Sequence, residues 1–406
     1  MLRTAAEAAG LPGIAPGASV WSAADVARIA NAPLPAMPLI GAGDCTRPVP
    51  GFDLWDFWPV QEEDGRVASI AGGALWMALS APAEGDPVLR HARARIRLLW
   101  RGRDGAWRDR GALLPDGFGP GSREWSGSAI VDGAHTRLTL FFTATGRRGE
   151  ARPTYEQRLF QTRAALAADG VLSGWTLPLQ SVASDGDLYD PAAQAEGTVG
   201  TIKAFRDPGF FRDPADGRAY LLFAASLGRS ASAFNGAVGL ARADDASLER
   251  WTLMAPLVSA DSLNNELERP HILVWDGRSH LFWSTQSSVF APNGPVGPTG
   301  LYGMTSAGLA EPFAPVSGGG LVLCNPPNAP TQAYSWWVSP DRTAMGFVDI
   351  LGEEGDARAR FGGCATQEVA LPQLIGRFDP SNTGLPSPRV SPLTSQPPPS
   401  ARNRLT

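Results

Sequence analysis

From about residue 46 to residue 379 the apolar positions fall in short runs, and the 3.6-residue spacing of a long helix is absent. ARIRLLW, RLTLFFTA, AYLLFAAS and SHLFWSTQ are such runs, rich in aromatic and branched side chains and punctuated by Asp-Gly turns. That pattern predicts strands. One short helix is expected, from Ser22 to Ala30 (SAADVARIA), with Ser22 as its N-cap. It belongs to residues 1–45, an N-terminal extension in which alanine mixes with Gly and Pro. Residues 380–406 are rich in Pro, Ser and Arg without an apolar period, so a disordered tail is expected there.

The strand pattern repeats. Four times a polar or aromatic pair precedes an apolar run, a turn containing aspartate, and a second apolar run. The copies are WSGSAIVDGAHTRLTLFF from Trp125, RDPGFFRDPADGRAYLLF from Arg206, ERPHILVWDGRSHLFW from Glu268 and YSWWVSPDRTAMGF from Tyr334. Their turn aspartates, Asp132, Asp216, Asp276 and Asp341, follow one another at intervals of 84, 60 and 65 residues. A fifth copy begins near Trp55, with GGALWMALSA as its first clear strand. Antiparallel sheets recurring at such intervals suit the blades of a propeller, which hides strand edges by radial packing. The expectation is therefore an all-β, five-bladed β-propeller over residues 46–379 with its site in the central channel; a pair of β-sandwiches is the alternative.

Composition removes several classes of function. The 406 residues carry 35 basic and 40 acidic side chains, for a net charge of −5, so there is no footprint for nucleic acid or an anionic membrane. Lys203 is the only lysine. No apolar run approaches the roughly 18 residues of a membrane span. Cys45, Cys324 and Cys364 are widely spaced without a CxxC, and His91, His135, His271 and His280 show no metal-ligand spacing. No metal or cofactor is expected. The start, MLRTAAEAAGLPGIAPG, lacks the sustained apolar stretch of a cleavable leader.

In a propeller the residues that open each repeat converge on one funnel. Here they are Asp56, Trp125-Ser126, Arg206-Asp207, Glu268-Arg269 and Tyr334. Three of them are carboxylates. Glycoside chemistry needs one carboxyl to donate a proton to the leaving oxygen and another, ionised, to attack or stabilise the anomeric carbon. Trp55, Trp58 and Trp125 offer apolar faces for sugar C–H groups. RDP occurs twice in FRDPGFFRDPADG; Asp213 falls in a hairpin where a turn aspartate is expected, so Asp207 is the candidate. HARARIRLLWRGR reads as a solvated sheet face, and SGGGL at 317–321 as a turn.

Taken in order, LWDFWPVQ, EWSGSA, FRDP, LERPH with a preceding NNE, GLVLCNPP and QAYS resemble glycoside hydrolase family 68, the levansucrases and bacterial β-fructofuranosidases. The resemblance runs from about residue 46 to 375, and FWSTQSSVFAPNGPVGPTGLYG is most similar to the Gram-negative branch. It implies a five-bladed propeller that cleaves sucrose with retention. It also implies Asp56 as nucleophile, Asp207 as transition-state stabiliser and Glu268 as general acid/base. Trp55, Trp125, Ser126, Arg206, Glu266, Gln286 and Tyr334 fall on positions lining the sucrose pocket. The partners implied are sucrose and fructo-oligosaccharide or other sugar acceptors, and the oligomeric state stays open.

Three positions depart from the pattern. Gln286 stands where polymer-forming members carry Arg or His, and Ala224 where many carry glutamate. Hydrolysis and short fructo-oligosaccharides are therefore expected in preference to levan, a levan-polymerising enzyme being the alternative. Asn265 stands where an aspartate of the calcium site of some Gram-positive members is found, so that site is not expected. Other readings are a propeller glycosidase acting on other fructans or arabinosides, and a sugar-binding propeller without catalysis. Members of the branch are secreted without a cleavable leader, which is the expectation here, with a cytoplasmic address as the alternative.

Overall fold

The opening motifs lie on strands that their own sequences bend. In the computed structural model, which describes residues 18–197, 200–352 and 356–371, WDFWP is part of β2 (Phe52–Gln61). GGALWMALSA supplies the second strand of this set, β3 (Ala74–Pro82), not the first, followed by β4 (Arg95–Arg101) and β5 (Trp107–Ala112). The order is β2-β3-β4-β5, antiparallel throughout. The aromatic block of β2 and its Pro59 hide the alternation that marks a strand; seven of its ten residues are buried, Trp55 among them, and Asp56 is partly exposed.

The same plan recurs. A second set runs β6 (Arg123–Val131), β7 (Arg137–Thr145) and β8 (Gln157–Leu166), with β9 (Leu172–Ser173) and β10 (Leu179–Val182) on β8. It is joined to the first by a two-residue parallel contact, Val60 and Gln61 against Ala129 and Ile130. A third runs β11 (Phe205–Arg212), β12 (Ala219–Ser226), β13 (Gly236–Ala243) and β14 (Trp251–Ser259), and β1 (Ser19–Val20) adds to β14 in parallel. The fourth is β15 (Glu268–Trp275), β16 (Arg278–Thr285) and β17 (Gly300–Ser306), with β18 (Ala314–Pro315) and β19 (Leu321–Cys324) on β17. The last is β20 (Ala333–Val338), β21 (Thr343–Ile350) and β22 (Phe361–Ala365), with β23 (Val369–Ala370) on β21. The protein is all-β, with curled antiparallel sheets.

Every first strand carries a β-bulge at its opening motif. The register slips between Trp55 and Trp58, Trp125 and Gly127, Arg206 and Gly209, Glu268 and His271, and Tyr334 and Trp337. In four of the five the bulged residue has a left-handed backbone: Asp56 at φ 52°, Asp207 at φ 60°, Arg269 at φ 51° and Ser335 at φ 59°. A bulge bends the strand and re-aims a side chain, and strained non-glycine residues of this kind gather at functional sites. Gly209 is needed for another reason: a Cβ there would lie 2.4 Å from the Pro270 carbonyl oxygen, where β11 and β15 close on each other. All five first strands line one cavity of about 320 Å³, through Trp58, Ser128, Asp207, Arg269 and Trp337 among others.

The turn aspartates do local work at the far ends of these strands. Asp132 accepts from the Thr136 and Arg137 amides at 2.8 and 3.0 Å, and Asp216 from the Arg218 amide at 2.8 Å. The arginine-rich β4 is neutralised by neighbours, Arg97 by Asp109 at 2.7 Å and Arg95 by Glu124 at 3.0 Å.

Residues 18–45 pack into the body. Helix α1 (Ala23–Ile29) begins at Ser22 with a reciprocal capping box to Asp25. Trp21 before it is fully buried, its ring centroid 5.3 Å from Trp283 and 5.0 Å from Tyr302, and its Nε1 donates to the Gly319 carbonyl at 3.1 Å. The residues expected to form a C-terminal tail lie outside the described ones.

Candidate active site

The bulges bring the candidate carboxylates together. Asp207 and Glu266 are buried, at 7% and 3% exposure, whereas Asp56 and Glu268 are only partly covered. That difference sorts the four by access. At their centre the buried Arg206 guanidinium donates to Glu268 Oε1 at 2.8 Å, and lies 3.3 Å from Glu266 Oε1 and 3.8 Å from Asp207 Oδ2.

Each partly covered carboxylate is oriented by a hydroxyl. Ser126 Oγ donates to Asp56 Oδ2 at 2.5 Å, and the Tyr334 phenol donates to Glu268 Oε2. Burial, reinforced by the Glu268 charge, holds the Tyr334 phenol well above its ordinary pKa, so it stays a donor. Asp207 is set from behind: its amide donates to Thr143 Oγ1 at 2.9 Å, while Thr143 donates to the Ser126 carbonyl at 3.1 Å. Thr143 thereby ties two opening motifs together. Arg269 lies beside the cluster and spans to its neighbours, donating to Ser335 Oγ at 2.8 Å and to the Phe57 carbonyl at 2.6 Å.

Four carboxylates facing two buried guanidinium groups cannot all ionise without cost. Burial pushes Asp207 up to about 7; Arg206 pulls it down, and Glu268 and Asp56 add to the rise. Glu266 is likewise pushed up to about 7 by burial and then by Glu268, against Arg206. The cluster therefore carries a proton near neutral pH, and that proton belongs to the group as a whole. Nearby His91 is driven down to about 3 by burial and by Arg90, so its ring is neutral.

The other sequence candidates fall around this centre. Trp55 and Trp125 flank His91, with ring centroids 5.5 and 6.3 Å from it. Gln286 follows β16 two residues beyond Ser284, the partner of Glu268, so it stands at the same end of the sheet. Ala224 pairs directly with Arg206 across β11 and β12. Asp213 does lie in the β11–β12 hairpin, accepting from the Ala215 amide at 2.9 Å. Sequence reading missed Thr143, Gln157 and Arg90. Gln157 Oε1 accepts from the Phe205 amide at 3.1 Å, and the Arg90 guanidinium lies 5.3 Å from the Trp55 ring centroid. The apolar run RLTLFFTA holds two threonines, Thr139 and Thr143, and nothing in it singles out Thr143.

Beside the cluster, the ammonium of Lys203 occupies a nest of oxygens. It donates to the Ala233 carbonyl and Asn235 Oδ1, both at 2.6 Å, and to Asn265 Oδ1 at 3.2 Å. Neutral oxygens already held by a tethered cation do not fit a calcium site. Lys203→Met is expected to lower stability by about 2–3 kcal/mol, since it leaves the buried Asn235 and Asn265 acceptors unpaired. Thermal denaturation checks this, and calcium should leave the wild-type Tm unchanged.

An all-β chain with paired carboxylates at strand bulges defines a glycoside-cleaving enzyme as the class. The family model described as Levansucrase/Invertase, of glycoside hydrolase 68, matches residues 14–235 and 229–374. The chain belongs to this family, and is a glycoside hydrolase/fructosyltransferase. It is 31% identical over 395 residues to levansucrase LscC of Pseudomonas savastanoi pv. glycinea, covering 87% of this chain and 88% of that one. An inulosucrase from Halalkalicoccus jeotgali, solved with kestose bound, superposes with a TM-score of 0.79 at 35% identity, covering 88% of this chain and 94% of that one. The levansucrase of Gluconacetobacter diazotrophicus shares the fold, with a TM-score of 0.76 at 24% identity over 89% of this chain and 91% of the other.

Proposed function

We propose that the chain transfers a β-fructosyl group from sucrose to water or to a sugar through a covalent fructosyl-enzyme, in the channel of a five-bladed propeller. Five bulged first strands around one cavity support the blade count. The reading of the chemistry rests on one observation: of four clustered carboxylates, Asp56 and Glu268 are partly exposed while Asp207 and Glu266 are buried.

Asp56, pinned by Ser126, is the nucleophile. Glu268 is the acid/base, because it combines partial exposure with a direct hydrogen bond from Arg206 at the centre of the proton-holding cluster. As glucose leaves, Glu268 delivers a proton to the glycosidic oxygen and an Asp56 oxygen bonds to the anomeric carbon. Glu268 then takes the proton of the incoming hydroxyl, whose oxygen displaces Asp56 with net retention. Asp207 holds the fructose hydroxyls and stabilises the positive charge that develops on the ring. Trp55, Trp125, Glu266, Arg206 and Tyr334 shape the pocket. Gln286 and Ala224, placed near Glu268 and Arg206, supply neither a cation nor a carboxylate to an acceptor, which favours water and short products.

Incubation with sucrose, with glucose and fructose assayed separately and products sized, tests this. Both sugars should be released, glucose in modest excess, with short oligosaccharides. Abundant long polymer overturns the product preference; release of neither sugar overturns the activity.

The alkaline limb of kcat/KM should fall near pH 7, where the cluster gives up its proton. Glu266→Gln removes a like charge that favours protonation of its neighbours, so the remaining cluster loses its proton at lower pH. The limb should move to the acid side, as a pH–rate profile would show.

A further inference from the structure

Cys45 and Cys364 are 319 residues apart, and nothing in their spacing pairs them. The fold does. Cys45 lies in the segment leading into β2, the first strand of the first set, and Cys364 lies on β22 in the last set. Their sulfur atoms are 2.7 Å apart, closer than unbonded sulfurs ordinarily pack. A disulfide bond of about 2.05 Å would bring the two sulfurs only a little closer than they already stand. The third cysteine, Cys324, is buried in the core cluster that contains Trp21 and Tyr302.

We propose that Cys45 and Cys364 form a reversible disulfide that locks the first sheet to the last and steadies the strand carrying Asp56. The same seam already holds a buried ion triad. Asp53 on β2 is wholly covered and is gripped by Arg47 on one side and Arg358 on the other. It stands three residues before Asp56 on the same strand. A chain whose first and last sheets meet opens at that seam, and a bond across it closes a loop of nearly the whole protein.

The two thiols are not equivalent. Cys45 is half-buried, and Cys364 is almost fully covered. The hydrogen bond from Cys364 and the charge of Arg47 hold the Cys45 thiol below its ordinary pKa, and the same hydrogen bond and burial raise Cys364. Cys45 is thus the attacking group. As thiolate it attacks a small-molecule disulfide, of which oxidised glutathione is the type, forming a mixed disulfide and releasing one thiol. Cys364 gives up its proton, attacks the Cys45 sulfur and releases the second thiol. One S–S bond is broken and one is made; the two protein thiols lose two electrons and two protons, which end on the two glutathione thiols.

The experiment equilibrates the full chain with oxidised or with reduced glutathione, then denatures, alkylates and maps peptides by mass. After oxidation Cys324 alone should be alkylated, with a peptide linking Cys45 to Cys364. Reduction should lower the Tm by about 5 °C. Cys45→Ser and Cys364→Ser should each abolish this redox-dependent shift, and Cys324→Ser should keep it. Three alkylated cysteines after oxidation, or a link through Cys324, would overturn the pairing. A linked pair with no change in Tm would overturn the locking role.

Discussion

Asp56→Asn is expected to reduce glucose release from sucrose by about 10⁴-fold or more, equivalent to roughly 5.5 kcal/mol in the barrier. An amide of the same size can still accept from Ser126 Oγ, so the bulge and its hydrogen bonds stay in place. What disappears is the anionic oxygen that, in the proposed reaction, bonds to the anomeric carbon. The loss should lie in kcat, with sucrose binding little changed, and the Tm should stay close to that of the wild type. A variant retaining more than about one per cent of wild-type turnover would remove Asp56 from the nucleophile's role, since loss of a member of a catalytic unit costs orders of magnitude. No activated leaving group should rescue this variant, because formation of the intermediate itself is blocked.

The four motif-bearing repeats were legible because strands and turns leave short-range marks. Asp132 and Asp216 sit in the turns that their Asp-Gly or Asp-containing contexts foretold. Candidate site residues were legible for a different reason: each opens a repeat, so a one-dimensional position encodes a shared place in the fold. What the sequence hid are the devices that aim these residues. A β-bulge with a left-handed Asp or Arg has no composition signal, because its cause is the pairing of a distant strand. Thr143 and Gln157 act through backbone groups of other repeats, a kind of contact that no local pattern reports. Lys203 could be counted as the sole lysine, yet its three oxygen partners come from segments about 30 and 60 residues away. The pairing of Cys45 with Cys364 was invisible for the same reason, because it depends on the last sheet returning to the first.

The bulges also explain why Glu268 is one position out of step with the aspartates. Asp56 and Asp207 are themselves the left-handed residues of their bulges, whereas in the fourth set that place belongs to Arg269, and Glu268 precedes it. A carboxylate before the bulge points differently from one at it, and its side chain has one more methylene. Glu268 can therefore reach Arg206 and Tyr334 while staying partly exposed. In the proposed reaction Asp56 approaches the anomeric carbon and Glu268 the oxygen bonded to it, and the offset gives the two carboxylates different directions of approach.

Glu268→Gln should separate those roles. With sucrose, whose glucose leaving group needs a proton, the variant should lose at least about 10³-fold in turnover, within the range that general acid catalysis and loss of a catalytic member together provide. With a nitrophenyl β-fructofuranoside, whose leaving group departs without protonation, the first step should recover. The second step should not, because no base takes the proton of the incoming water. Rapid mixing should then show a burst of nitrophenol of about one equivalent per enzyme followed by a slow steady state, the kinetic mark of an accumulating covalent intermediate. Asp56→Asn should show no burst with the same substrate. Equal losses on both substrates in Glu268→Gln, without a burst, would mean that the proton on the leaving oxygen comes from Asp207 or Glu266 instead, and the buried pair would have to exchange roles with the open one.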